Sequence, residues 1–488
     1  MPRSYVFLGF FFFYSIALLY FGKTGYNESD TIDDFFIGGR KMGLFALVST
    51  FVATWFSAAS MQGLPGSIYV YGFTFVLYSI VPWFIGAGFL YLLTPKLRAS
   101  GAVSIPDYFN KRYQSKTLQV STGILIIFNF ILYIVIQIRG FGIVISEFLE
   151  IPYTLAIVIV YIFILYTSFG GLFSLAKSDG FNFIVICIGI FLGTWIILFR
   201  IDSIETFINQ ANAVEGYAIE GYFYYTPKAS LLKPLAGGGM TLISLISAFF
   251  AWGLGLATNP QYTVRIIAAK DTETALEMIK RSVAILFVTY IGIIIIGLGM
   301  RVIMPSIKSV DSIDSVLTVV INSLFSTPIS GIVMLAIMAA AISTANSQLL
   351  VAASSFIYDV FGIVSKKQRS DDVLLTISRV VVLIVGSLSL LLAISPPESL
   401  LIYGSYIWGV FSVTLLIPLY GGVFWRDATT NGAIWSMISG MLTMIISYVG
   451  TYHSEAIFKI HPSMPGVIVS GIVFYLVSSQ ERVKANEN

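Results

Sequence analysis

Thirteen times along its 488 residues the chain runs almost wholly apolar for close to the ~20 residues that cross a ~30 Å hydrocarbon core. The runs fall at 4–22, 43–71, 73–95, 118–149, 152–170, 178–199, 236–263, 282–305, 327–361, 373–393, 398–424, 430–451 and 463–479. A soluble domain of this kind would need a charged coat, and charged residues are only 11% of the chain against a usual ~25%. The runs are therefore expected to be helices in lipid: backbone groups in hydrocarbon must bond within their own segment, and the runs are too long and too evenly apolar for barrel strands. The first run follows Arg3, exceeds the ~7–15 apolar residues of a secretory signal and is followed by no small-residue cleavage site, so it reads as a retained helix.

Thirteen crossings and an outside N-terminus divide the basic residues unevenly. Twenty fall on the cytoplasmic side, among them Lys23, Arg40, Lys41, Lys177, Arg265, Lys366 and Lys367, and seven outside. Arg139 lies inside a helix. That asymmetry predicts an outside N-terminus, a cytoplasmic C-terminus and a multi-pass protein of the plasma membrane. A net charge of +3 over 28 basic and 25 acidic residues excludes nucleic-acid binding as the main role. One Cys and two His, His453 and His461, leave no disulfide framework and too few ligands for a Cys/His metal site. No organic cofactor is expected, and no enzyme-sized soluble segment stands between the runs.

Two runs contain helix breakers. Gly63-Leu64-Pro65-Gly66 lies in the second, and Trp252-Gly253-Leu254-Gly255 followed by Asn259-Pro260 lies in the seventh. Gly and Pro free carbonyls that lipid cannot satisfy. If helices 2 to 6 and 7 to 11 are two repeats, each break falls in the first helix of its repeat, the position where transporters build a midplane site for a cation and a solute. In the ninth run, Ala336 to Gln348 sets small and hydroxyl residues within apolar sequence. Ser343 and Thr344 could supply two hydroxyls to a sodium ion, and Ala340, one turn back, a carbonyl. The same small residues also suit close helix packing. Arg139, about ten residues into the fourth helix, is either a clamp for a solute carboxylate or half of a structural pair with an acid such as Glu147. Asp179, at the start of the sixth run, reads either as a helix N-cap or as an ion ligand.

The stretches Asp34 to Gly43, Gly63 to Gly66, Phe169-Gly170-Gly171-Leu172 with Ser178-Asp179, Pro260 to Arg265, and Met338 to Leu350 occur in the order seen in the sodium:solute symporter family, and the chain resembles that family over most of its length. Ile151-Pro152-Tyr153, Ser395-Pro396-Pro397-Glu398 and His461-Pro462 look most like its sodium/pantothenate members, with proline symporters next. The resemblance implies an all-α membrane protein with a leucine-transporter-like five-plus-five inverted repeat: an extra helix over 1–24, repeats over 25–200 and 236–426, an external loop over 201–235, and two extra helices with a short tail over 427–488. It places sodium on the carbonyls of Ala53, Phe56 and Ala340 and the hydroxyls of Ser343 and Thr344, and a second sodium on Asp179, Ser343, Asn346 and Ser347. Asn346 departs from the hydroxyl of that subgroup, and Arg139 stands where the pantothenate-type pattern is apolar although Gln137 matches. Solute-lining candidates are Trp55, Ser57, Ser60, Gln137, Arg139, Phe249, Trp252 and Asn259. The expected function is sodium-coupled import of a small, carboxylate-bearing solute, pantothenate-like or a short monocarboxylate, by a monomer in the bilayer. The alternatives are a proline-type amino-acid symporter and a non-transporting sensor or membrane enzyme of the same topology.

Overall fold

A computed structural model describes residues 3–26, 31–219, 225–235, 240–308, 310, 312–365, 369–396, 399–452 and 460–487. Lys366, Lys367, Pro397, Glu398 and His453 lie outside the described residues. Among the described residues the regular structure is helical apart from one two-stranded pair, Gly216–Tyr217 with Tyr225–Thr226, in the long loop. In order the principal helices are α1 (Arg3–Tyr26), α2 (Leu44–Trp55), α3 (Ala59–Tyr71), α4 (Val76–Ala99), α5 (Lys116–Leu149), α6 (Tyr153–Ser168), α7 (Gly171–Phe199), α8 (Leu242–Thr258), α9 (Pro260–Ala268), α10 (Thr272–Ile303), α11 (Thr327–Ser354), α12 (Asp371–Ala393), α13 (Leu400–Phe424), α14 (Thr430–Tyr452) and α15 (Ser463–Glu487). Polar caps set several starts: Ser115 for α5, Asp271 for α10 and Ser399 for α13 each accept a first-turn amide.

Among the described residues, eleven helices are long and apolar enough to cross a membrane, or twelve when the bent pair α2–α3 is one span. The thirteenth expected crossing, 152–170, is α6 with 16 residues. At ~1.5 Å per residue it is ~24 Å long, short of a ~30 Å core, because Pro152 and the Phe169-Gly170 turn bound it at both ends.

Helix contacts come in matched pairs. α10 packs on α2 and α3, and α4 on α8; α7 packs on α2, and α13 on α8; α12 packs on α5, and α6 on α11; α11 packs on α7, and α13 on α5. Outside this set, α1 lies against α7 and α11, and α14 and α15 pair against α13. α11 runs through the middle, with every residue from Ala336 to Ala345 fully buried.

The first break is not where the glycines and proline suggest. α2 ends at Trp55, Phe56 is extended, and α3 leaves at 58° to it, so the chain turns at Phe56-Ser57. Gly63 to Gly66 sit inside continuing helix, where the π turn Ala59–Gly63 runs directly into Leu64–Tyr71 and its wider backbone takes up the donor that Pro65 lacks. Gly66 instead allows a close approach: a Cβ there would stand 2.3 Å from the carbonyl oxygen of Ile313. The second break falls as expected at Asn259, with Pro260 opening α9. Gly253 and Gly255 are packing residues, since a Cβ on Gly255 would lie 2.5 Å from the Trp408 carbonyl oxygen on α13.

Gly255→Val should therefore force α8 and α13 apart at a cost of about 1–3 kcal/mol, read as a lower melting temperature of the purified protein. Gly88→Ala, whose added methyl meets nothing within 4 Å, should leave it unchanged or raise it.

Candidate ion and solute site

In an unbroken helix the amides of Ser57, Ala58 and Ser60 would close on the carbonyls of Ala53, Thr54 and Phe56. Here all three are donated elsewhere. Ser57 N gives to Ser60 Oγ at 2.8 Å, Ala58 N to Gln137 Oε1 at 3.0 Å, and Ser60 N to Ser57 Oγ at 3.4 Å. The turn thus releases a run of carbonyls, and α11 meets them. The Thr344 hydroxyl lies 2.6 Å from the Phe56 carbonyl oxygen and 3.2 Å from that of Thr54, and Ser343 Oγ is 3.4 Å from Thr54 Oγ1. Ala53, Phe56, Ala340, Ser343 and Thr344 are all fully buried. The first break and the hydroxyls of α11 therefore converge on neutral oxygen, the donor chemistry that holds an alkali cation at an unwound helix. Thr54, absent from the expected set, adds both a carbonyl and a hydroxyl; its signal was the same i, i+4 spacing from Thr50 that puts two hydroxyls on one face.

Asp179 is not a helix cap. α7 begins at Gly171, capped by Gly170, so the carboxylate stands ~12 Å along the helix axis and is fully buried. It accepts from Thr50 Oγ1 at 2.5 Å and faces the Arg265 guanidinium at 3.6 Å. Arg265, also fully buried, is the residue the sequence reading missed by counting it as a loop charge. After the break α9 turns it inward, where it donates to Thr50 Oγ1 (2.9 Å), Thr54 Oγ1 (2.5 Å), Ser347 Oγ (3.0 Å) and the Gln261 carbonyl (2.5 Å). One guanidinium so joins α2, α7, α9 and α11. Of the four residues named for a second ion, Ser347 is held by Arg265. The Asn346 amide turns to α6, giving to Thr167 Oγ1 at 2.9 Å and accepting from Ser168 Oγ at 2.8 Å.

The solute candidates separate into three groups. Ser57, Ser60 and Gln137 serve the first break as described. Trp252 is boxed by Trp83 and Trp408, with ring centroids 5.1 and 5.0 Å away and both pairs near edge-to-face, while Trp55 packs on Phe51 and Tyr262. The indole N–H groups of Trp83 and Trp252 and the amide nitrogens of Gln137 and Asn259 are buried without a hydrogen-bond acceptor. Phe249 does not join them; it lies in a separate apolar cluster with Leu254, Val413 and Leu416. Arg139 does find an acid, but on a distant segment: its Nη2 is 3.2 Å from Asp314 Oδ2 and 3.4 Å from Ser312 Oγ. Trp83, Trp408 and Asp314 were missed because nothing local in the sequence marks a tryptophan in an apolar run, or an acid in a loop, as facing a site. Among the described residues, no group of three or more His, Cys, Asp and Glu could hold a metal.

The model of the sodium:solute symporter family matches residues 35–440. The chain is 26% identical over 478 residues to the osmoregulated proline transporter OpuE of Bacillus subtilis (strain 168), covering 96% of this chain and 94% of that one. It is 26% identical over 494 residues to the sodium/proline symporter of Staphylococcus aureus (strain JH9), covering 98% and 92%. In fold it is similar to a Na+-coupled sialic acid symporter solved in a substrate-bound, outward-open state, with a TM-score of 0.80, 18% identity and 98% of both chains covered. The two sequence relatives are transporters of proline rather than pantothenate, which corrects the pantothenate leaning, and all three are transporters, not enzymes. With 406 consecutive positions, 35 to 440, under one family model, the chain belongs to the sodium:solute symporter family and is a sodium-coupled solute symporter of the membrane.

Proposed function

We propose that the transported solute is a small zwitterionic amino acid of the proline type, bound beside the two breaks. The observation that carries this reading is the set of buried donors with no acceptor, on Trp83 and Trp252, whose rings meet edge to face, and on Gln137 and Asn259, which stand at the two breaks. A buried donor left unmade costs about 1–3 kcal/mol, so four together call for a ligand rich in acceptor oxygens. A carboxylate supplies those, and an ammonium is attracted to the tryptophan faces without a counter-ion. The names of the relatives point the same way. A pantothenate-like or short monocarboxylate solute would leave the aromatic faces unused.

In this reading sodium sits on the carbonyls of Ala53, Phe56 and Ala340 and the hydroxyls of Ser343 and Thr344, with Thr54 adjacent. It draws α2 to α11 and fixes the break that shapes the solute site. Asp179 is the remaining candidate for a second ion. The matched helix contacts support two repeats, 25–200 and 236–426, rocking about this centre. The short α6 then counts as the thirteenth crossing, and the distribution of basic residues orients the N-terminus outside and the C-terminus in the cytoplasm of a plasma-membrane monomer.

Proteoliposomes with a sodium gradient should take up proline in preference to pantothenate, acetate or larger amino acids; preference for pantothenate, or uptake indifferent to sodium, would overturn the reading. Ser343→Ala and Thr344→Ala should each raise the sodium concentration for half-maximal uptake about tenfold, the equivalent of ~1.4 kcal/mol for a lost ligand. Trp252→Phe, which keeps a ring and removes the N–H, should raise KM for proline several-fold with the sodium dependence unchanged. Asp179→Asn leaves the buried Arg265 cation uncompensated and should destabilise the protein by about 3–5 kcal/mol, read as a lower melting temperature. The double variant Asp179→Asn/Arg265→Gln should recover much of that loss.

A further inference from the structure

The geometry points to a carboxylate-binding subsite formed by the Arg139 guanidinium and the first amides of α13, filled in this structure by the chain's own Asp314 and open to the carboxylate of the solute when the segment carrying Asp314 lifts away. It rests on the reading that the solute bears a carboxylate.

Asp314 belongs to a hairpin between α10 and α11, in the 3-10 turn Ile313–Ser315 that leads into the short helix Val316–Leu324. Its side chain is fully buried. Both carboxylate oxygens lie within hydrogen-bond distance of the Leu400 amide, at 3.2 and 3.1 Å, and one faces Arg139 Nη2 at 3.2 Å. Leu400 opens α13, a helix of 25 residues, where first-turn amides lack intrahelical acceptors and the helix end favours an anion. A guanidinium and a helix N-terminus converging on two oxygens is a receptor for any carboxylate, and nothing in it is particular to aspartate.

The elements that grip this carboxylate are not those that carry it. Arg139 is on α5 and Leu400 on α13, whereas Asp314 rides on the hairpin, whose backbone rests on α3 through Ile313 and the bare Gly66. If the hairpin rises, the receptor stays behind, with the guanidinium and the Leu400 amide still facing the position the carboxylate held. The receptor also lies on the way to the solute site. In the next residue of α5, a Cβ on Gly140 would meet the Ala58 methyl at 2.3 Å and Gln62 Oε1 at 3.2 Å, so Arg139 flanks the first break directly. Gly404, one turn or ~6 Å along α13 from Leu400, abuts the Trp252 ring. The side-chain amide of Gln62 is buried with neither its oxygen nor its nitrogen partnered, which leaves a donor beside the subsite for a second carboxylate oxygen. In the proposed orientation this is the outer side. The solute carboxylate is received by Arg139 and Leu400 N in exchange for Asp314, passes one turn inward to the aromatic cluster, and Asp314 returns to close the path behind it.

Kinetics with proline and with prolinamide, which lacks the negative charge, test this. Asp314→Asn removes the tethered competitor and should lower KM for proline several-fold while slowing turnover. Arg139→Gln should raise that KM tenfold or more, as should the charge-neutral double variant, and inhibition by prolinamide should be unmoved in all three. Hydrogen exchange over Ile313–Leu324 gives a readout independent of transport: proline should speed it in the wild type, prolinamide should not, and Asp314→Asn should exchange fast without either. An unchanged or higher KM in Asp314→Asn, or prolinamide loosening the hairpin as proline does, overturns the subsite. If the wild type does not transport proline at all, the preceding reading fails instead, and the same exchange experiment with acetate against acetamide still decides whether Arg139 and Leu400 take a carboxylate.

Discussion

Backbone carbonyls released inside a membrane have to be met by something, and that requirement organises this molecule. At Phe56-Ser57 the chain gives up helical hydrogen bonds at a depth where lipid offers none. The amide side of the loss is repaired locally, by Ser57 and Ser60 bonding to each other and by Gln137 reaching across from α5. The carbonyl side is turned towards α11, where Thr344 stands on the axis of the turn. A plain hydroxyl is an adequate partner for two carbonyls, and so is a cation. The arrangement is therefore satisfied without an ion, a property that a site built from carboxylates would lack, since those would repel each other when empty, and it suits the proposed sodium site for that reason.

Charge is placed with the same economy. Ionisable groups at depth are expensive, and the two buried pairs close to the breaks each join segments that have to move relative to one another in a rocking mechanism. Arg265 and Asp179 tie α9 to α2, α7 and α11; Arg139 and Asp314 tie α5 and the start of α13 to a hairpin. A hydrophobic contact in these places would be as stabilising but would slide. An ion pair in low dielectric is either made or broken, which makes it a suitable element for a protein that must occupy distinct states.

The sequence made the helices legible because their cause is local: a run of apolar residues of the right length in lipid has one solution. It also made the hydroxyl pair on α11 legible, since Ser343 and Thr344 have no reason to sit in an otherwise apolar helix unless something polar faces them. The position of the first break was misread for a physical reason. Glycine and proline mark where a helix can bend cheaply, yet this helix bends seven residues before Gly63, where hydroxyl side chains and a glutamine on another helix replace the lost bonds. The partners of the charged residues were illegible for the opposite reason. Arg139 meets Asp314 and Arg265 meets Asp179 across 175 and 86 positions of chain, and only the fold decides such pairs. A residue in α9 looks like a loop charge until the break at Asn259 is seen to turn that helix inward.

The two arginines also explain why a break without charge is enough. Thr54 bridges the two systems: its carbonyl faces Thr344, and its hydroxyl receives Arg265 and lies near Ser343. A cation drawn to the carbonyls would sit close to a guanidinium, and two positive charges in a low-dielectric interior repel. On the proposed placement of sodium, Arg265 opposes the ion for as long as it holds Thr54, and Asp179 and Ser347 share the same guanidinium with Thr54. Under that proposal, a tighter hold of Arg265 on Thr54 weakens the ion's hold, which is the direction in which a symporter has to release its cargo.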